Sequence, residues 1–176
     1  MHCGKYLWEA IMKKISKYCL LLFCAVLVAG CCSCGLTGKA KEKDFSKAGA
    51  TITLTDAFTE QSLVTQTAYY VSLKSIVTTL KEDFSSFQGT EYENMTLNQY
   101  ANLVLTANSL TAAVAEEDGL LYFTYEKSTN GKEFKYYATV FKGPDAYWLI
   151  QFACEVNDFD DFLPDFQKWA KSVTFS

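Results

Sequence analysis

The chain has 176 residues, 49% hydrophobic, 15% aromatic and 20% charged, which fits one globular domain with a short extension and excludes both two large domains and a disordered chain. With 2 Pro and 9 scattered Gly, collagen-like repeats and Gly-rich phosphate or dinucleotide loops are excluded. All 16 basic residues are Lys, no Arg offers a bidentate clamp, and the net charge is -4, so nucleic acid is not expected as a partner.

The first pattern along the chain is an address. Lys13, Lys14 and Lys17 precede an uncharged apolar run from Cys19 to Gly30, too short for a membrane span and shaped like a secretory signal peptide, which is assigned to residues 1–30. Glu9 interrupts the positive charge upstream, so Met12-Lys13-Lys14 is an alternative start. The run closes with Val28-Ala29-Gly30-Cys31, which resembles the lipobox of bacterial lipoproteins. In that motif small residues give the peptidase access, and the cysteine thiol carries the lipid as a thioether, with acyl chains of the palmitate class. The resemblance implies lipid attachment at Cys31 and a domain tethered to the extracytoplasmic side of the cell membrane. A cleaved signal without lipid, a membrane-anchored N-terminus and a buried helix are the alternatives, and none of them calls for a cysteine at 31. Cys32 and Cys34 follow poorer lipobox residues, and a Cys-x-Cys metal site there lacks further ligands.

Of the 7 cysteines only Cys154 lies beyond position 34, which excludes a disulfide framework in the body of the protein. At the end of an apolar strand, Cys154 reads as a small buried hydrophobe rather than a catalytic thiol. Residues 31–47, with Gly35, Gly38 and the mixed charges from Lys39 to Asp44, read as lipidated terminus and linker. Residues 48–176 read as the ectodomain, and from position 45 onward 9 Lys face 17 Asp and Glu, a net charge of -8.

Within that body the pattern predicts a strand at Thr51–Thr55, a loop to Gln66, strands at Ala68–Leu73 and Ser75–Lys81, and a loop over Asp83–Asn94. Thr96-Leu97-Asn98-Gln99 fits a capping box, opening a helix with Leu97, Tyr100, Ala101, Val104 and Ala107 on one stripe. Strands follow at Ser109–Ala115, Leu120–Glu126, Glu133–Lys142 and Ala146–Cys154, joined by the turn signals Asp118-Gly119, Asn130-Gly131 and Gly143-Pro144-Asp145. The last of these strands is apolar on both faces, so its sheet needs cover on both sides, expected from helices. Phe159, Phe162, Leu163, Phe166, Trp169 and Ala170 form a second helical stripe. Pro164 fits its first turn if Asp160 or Asp161 is the N-cap, and Val173–Phe175 is expected to pair as a short extended tail.

The order of these segments, from Asp56-Ala57-Phe58 through the helix at Leu97-Asn98-Gln99-Tyr100-Ala101 to Phe166-Gln167-Lys168-Trp169-Ala170-Lys171-Ser172-Val173-Thr174-Phe175, resembles the PsbP-like fold over about residues 48–176. The implied fold class is α+β, a single domain with a mainly antiparallel sheet flanked by helices, an α/β/α sandwich. Members of that fold serve unrelated roles, so no functional residue carries over.

Chemistry is sparse. The sole His is His2, which leaves the ectodomain no imidazole for a Ser-His-Asp or Cys-His arrangement or for zinc. Asp158, Asp160, Asp161 and Asp165 could act as paired carboxylates, but acids also suit the first turn of a helix. Glu116-Glu117-Asp118 is an acidic knot at a hairpin tip, a candidate partner contact as well as a simple solvated turn. The rings of Tyr69, Tyr70, Tyr122, Tyr125, Tyr136, Tyr137, Tyr147 and Trp148 supply either core or a binding platform. The expected function is a non-catalytic binding or envelope-assembly role at the membrane, with an envelope protein as partner and no cofactor or metal. A small-ligand or cation-binding lipoprotein and a carboxylate-dependent hydrolase are the alternatives.

Overall fold

Strands dominate residues 40–176, the part of the chain that the computed structural model describes. β1 (Glu42–Lys47), β2 (Ala50–Thr55) and β10 (Thr174–Phe175) form a three-stranded sheet in the order β1-β2-β10. β3 (Thr59–Gln61), β4 (Ala68–Val71), β5 (Ser75–Asp83), β6 (Ala115–Glu117), β7 (Leu120–Thr129), β8 (Lys132–Lys142) and β9 (Ala146–Glu155) form a seven-stranded sheet in the order β3-β4-β5-β9-β8-β7-β6. Every pairing in both is antiparallel. Two α-helices, α1 (Leu97–Ala107) and α2 (Phe159–Lys171), complete the described architecture.

β9 lies at the centre of the large sheet, as its two apolar faces require. Tyr147, Leu149 and Ala153 join Tyr100, Ala101, Val104 and Leu105 of α1 in one core, with Phe123, Tyr136 and Val140 from the neighbouring strands. Ile150, Phe152 and Cys154 point to the other side, where Phe159, Phe166 and Trp169 of α2 meet Ile52 and Leu54 of β2. The α2 side is thus covered by a helix and a small sheet together, where helices alone were expected. Phe45 against Tyr70 (ring centroids 4.9 Å apart) fastens that small sheet to the large one, and Phe58, in the turn after β2, lies edge-on to Trp169 of α2 (5.2 Å).

Local chemistry explains the boundaries. Thr96 Oγ1 accepts from the Gln99 backbone N–H at 3.2 Å while Gln99 Oε1 accepts from the Thr96 N–H at 2.8 Å, a complete capping box opening α1. Asp118 and Gly119 (φ 51° and 78°) and Asn130 and Gly131 (φ 53° and 77°) adopt the left-handed pairs that two-residue hairpins require. Gly143 lies so close to the Trp148 indole that a Cβ would sit 3.0 Å from Nε1, so the third turn depends on a bare backbone there.

Several boundaries differ from the sequence reading. Residues 42–47, read as linker, form β1, whose lone apolar residue Phe45 is its buried anchor. The stretch read as a loop to Gln66 contains β3, and the 83–94 loop holds the last residue of β5, a 3-10 turn at Phe84–Phe87 and the buried ring of Phe87. Of the strand expected at Ser109–Ala115 only Ala115 enters a ladder, as the first residue of β6. Ser109 turns left-handed (φ 54°) to end α1, and Leu110, Ala112 and Val114 pack against the α1-side core outside any ladder. α2 starts at Phe159, earlier than an Asp160 or Asp161 cap allows, because burial of Phe159 adds residues at its front. Pro164 therefore sits in the second turn and removes the N–H that would have bonded the Asp160 carbonyl. The tail pairs as β10 with β2, Thr174 opposite Thr51.

Candidate functional site

Val28, Ala29, Gly30 and Cys31 lie outside the described residues, as do the signal segment, Met12, Cys32 and Cys34. No helix among the described residues is long and apolar enough to cross a membrane.

The acidic knot is placed by the β6–β7 hairpin, which brings it against the last turns of α2. Lys171 Nζ donates to Asp118 Oδ2 at 2.6 Å, and its ammonium holds the Asp118 carboxyl below its ordinary value. Gln167 Nε2 donates to Glu117 Oε2 at 3.0 Å. Glu116 is exposed and, opposite Leu121 in the ladder, faces the other side of the sheet from Glu117. The knot is therefore a docked hairpin tip with an acidic outer edge.

Of the four candidate carboxylates, Asp160, Asp161 and Asp165 are exposed along α2, whereas Asp158, just ahead of the helix, turns towards Lys74, whose Nζ lies 3.3 Å from Oδ2. Among the described residues no three or more His, Cys, Asp or Glu side chains gather as a metal site. The aromatic platform resolves into core: Tyr69, Tyr70, Tyr125, Tyr136, Tyr137, Tyr147 and Trp148 are all buried, and Tyr122 is half-buried, stacked on Tyr137 at 5.0 Å. One carboxylate that the pattern did not single out is Glu82 on β5, which accepts from the Tyr100 phenol at 2.6 Å beneath α1. Burial pushes its carboxyl up, with the phenol hydrogen bond acting in the opposite direction.

A cleft of about 280 Å³ opens where the β4–β5 turn, the start of β8, the end of β9 and the entry to α2 meet. Ile76, Phe134 and Ala153 line it with apolar surface. Its rim carries two cross-element ion pairs, Lys74 with Asp158 and Lys132 with Glu155. Leu73 stands on the same rim, 93% exposed, next to a turn held by Ser72 and Ser75 hydroxyls 2.8 Å apart. Residues 72–76 together with Lys132, Phe134, Ala153, Glu155 and Asp158 build this cleft, and only their convergence in the fold identifies it.

Cys154 lies on the opposite face of β9 from the cleft, fully buried, with its thiol pushed up to about 12 chiefly by burial. A thiol reagent is expected to label the native protein at least about a hundredfold more slowly than the denatured chain, since reaction needs both thiolate and access. Equal rates by mass spectrometry would contradict the packing role.

No protein-family model and no curated protein matches the chain. The fold is similar to the solution structure of cyanobacterial PsbP (CyanoP) from Synechocystis sp. PCC 6803, with a TM-score of 0.51 and 15% identity over 82% of this chain and 98% of that one. It is also similar to a crystal structure from Bacteroides thetaiotaomicron VPI-5482, with a TM-score of 0.50 and 9% identity over 78% of this chain and 48% of that one. The domain therefore has a PsbP-like α+β fold, and at such identities the likeness concerns the fold alone.

Proposed function

We propose that the protein is a bacterial lipoprotein, anchored through Cys31 to the extracytoplasmic side of the cell membrane, whose ectodomain has a non-catalytic role in envelope binding or assembly. The observation that carries the reading is Val28-Ala29-Gly30-Cys31 directly after a basic segment and a short apolar run. β1 begins at Glu42, so the tether from Cys31 reaches at most about 40 Å even when fully extended. Such a leash confines the domain to the membrane surface and raises its effective concentration for a membrane-bound partner.

A protein partner is favoured by charge. With 9 Lys, 17 acids and no Arg from position 45 onward, the domain is repelled by anionic lipid and nucleic acid and attracted by a basic protein surface. The acidic edge at Glu116, Glu117 and Asp118 sits on a hairpin tip supported by α2, the kind of loop on a rigid scaffold that often carries contacts. Crosslinking in intact cells, followed by capture of the full chain, tests this reading. Charge reversal at those three residues is expected to lower the yield of a specific neighbour roughly tenfold, more than reversal at Asp160 and Asp161 does, with added salt weakening the association. Recovery of no specific neighbour, together with turnover by the purified protein, would replace the reading with an enzymatic one.

A further inference from the structure

We propose that the cleft between the β4–β5 turn and the entry to α2 binds a small zwitterion with an apolar side chain, an apolar amino acid or dipeptide. At about 280 Å³ it falls at the lower edge of small-molecule pockets, a size that suits such a ligand better than a lipid or a large cofactor. Its surface is of two kinds. Ile76 and Phe134 show only narrow apolar edges at its floor, above a closed Ala153, and the apolar area open to a ligand side chain is chiefly that of Leu73, which leaves 93% of its surface in water on the rim.

The rim sets the charge of the ligand. Lys74 pairs with Asp158 and Lys132 with Glu155, each pair joining two different elements across the mouth. All four side chains keep a third or more of their surface exposed, and pairs of that kind contribute little to stability, so they exchange partners at little cost. A ligand ammonium takes the place of a lysine on Asp158 or Glu155 while a ligand carboxylate takes the place of the acid on Lys74 or Lys132. The exchange then leaves no charge without a counterpart. A ligand bearing only one charge makes one ionic contact at the rim where a zwitterion makes two, and that difference is the basis for discrimination. The Ser72–Ser75 hydroxyl contact braces the turn that carries Lys74, keeping that ammonium at the mouth.

Titration calorimetry on the full chain in detergent micelles tests the assignment, with leucine and leucyl-leucine as probes. Saturable binding at millimolar concentration or tighter is expected for at least one of them. Leucinamide, N-acetylleucine and glycine, which lack one charge or the apolar side chain, are expected to bind at least about tenfold more weakly. Lys74→Gln combined with Asp158→Asn, Lys132→Gln combined with Glu155→Gln, and Leu73→Asn alter side chains that are a third or more exposed, and the double variants remove both members of a pair, so each variant is expected to melt close to the parent. At least one of the three is expected to weaken probe binding about tenfold, and Asp160→Asn to leave it unchanged. Absence of saturable binding by either probe at about 10 mM, equal binding of the single-charge analogues, or binding unchanged in all three variants would overturn the assignment. A Cys31→Ala chain is expected to bind the probes like the parent, so failure of the cleft assignment and failure of the lipid anchor are separate results.

Discussion

A Cys31→Ala chain is expected to take up no labelled fatty acid and to leave the membrane fraction or persist as unprocessed precursor. The reason is energetic. Each buried acyl methylene contributes about 0.8 kcal/mol, one chain alone gives marginal attachment, and two chains give a stable anchor. The folded domain supplies no substitute, since its excess of acids over Lys opposes an anionic bilayer surface. Cys32→Ala and Cys34→Ala are the matched controls, because neither cysteine follows the aliphatic and small residues that Cys31 does. Metabolic labelling and membrane fractionation of all three variants decide the matter. Label retained by the Cys31 variant, or lost only from a Cys32 or Cys34 variant, would assign the lipid elsewhere.

The parts of the fold that were legible in the sequence rest on local chemistry. The Thr96 capping box, the Asp118-Gly119 and Asn130-Gly131 turns and the two-faced apolar strand at Ala146 each owe their conformation to neighbours a few residues away or to a pattern within one element. The missed elements depend on partners outside their own pattern. β1 carries one buried apolar residue in six; the Ala48-Gly49 turn pairs it with β2, and its anchor Phe45 is buried against Tyr70 of β4. The Ser109–Val114 segment shows the converse, a strand-like alternation of Leu110, Ala112 and Val114 that packs its apolar side without entering a ladder. The cleft was illegible for the same reason. Lys74 and Asp158 are 84 positions apart, and no local spacing announces that the β4–β5 turn and the entry to α2 share a mouth.

Phe166→Ala is expected to cost about 3–5 kcal/mol, the largest effect of a single truncation on the α2 side. Phe166 is fully buried, and its ring centroid lies 5.7–6.0 Å from those of Phe152, Phe159, Phe162 and Trp169. It thus joins the central strand to three other rings of its own helix. Pro164 increases this dependence. The helix already lacks one internal hydrogen bond two residues earlier, so packing of its apolar stripe must hold the second turn in place. Against a total stability of about 5–15 kcal/mol for a domain of ordinary size, a loss on this scale leaves little margin. Phe162→Ala, at a half-buried ring on the same stripe, is expected to cost less than half as much, because solvent already covers part of what would be removed. Urea unfolding followed by tryptophan fluorescence measures both, with a lower midpoint and an unchanged slope as the signature of lost packing. Equal losses for the two variants would mean that the edge of the stripe, not its buried centre, holds α2 on the sheet.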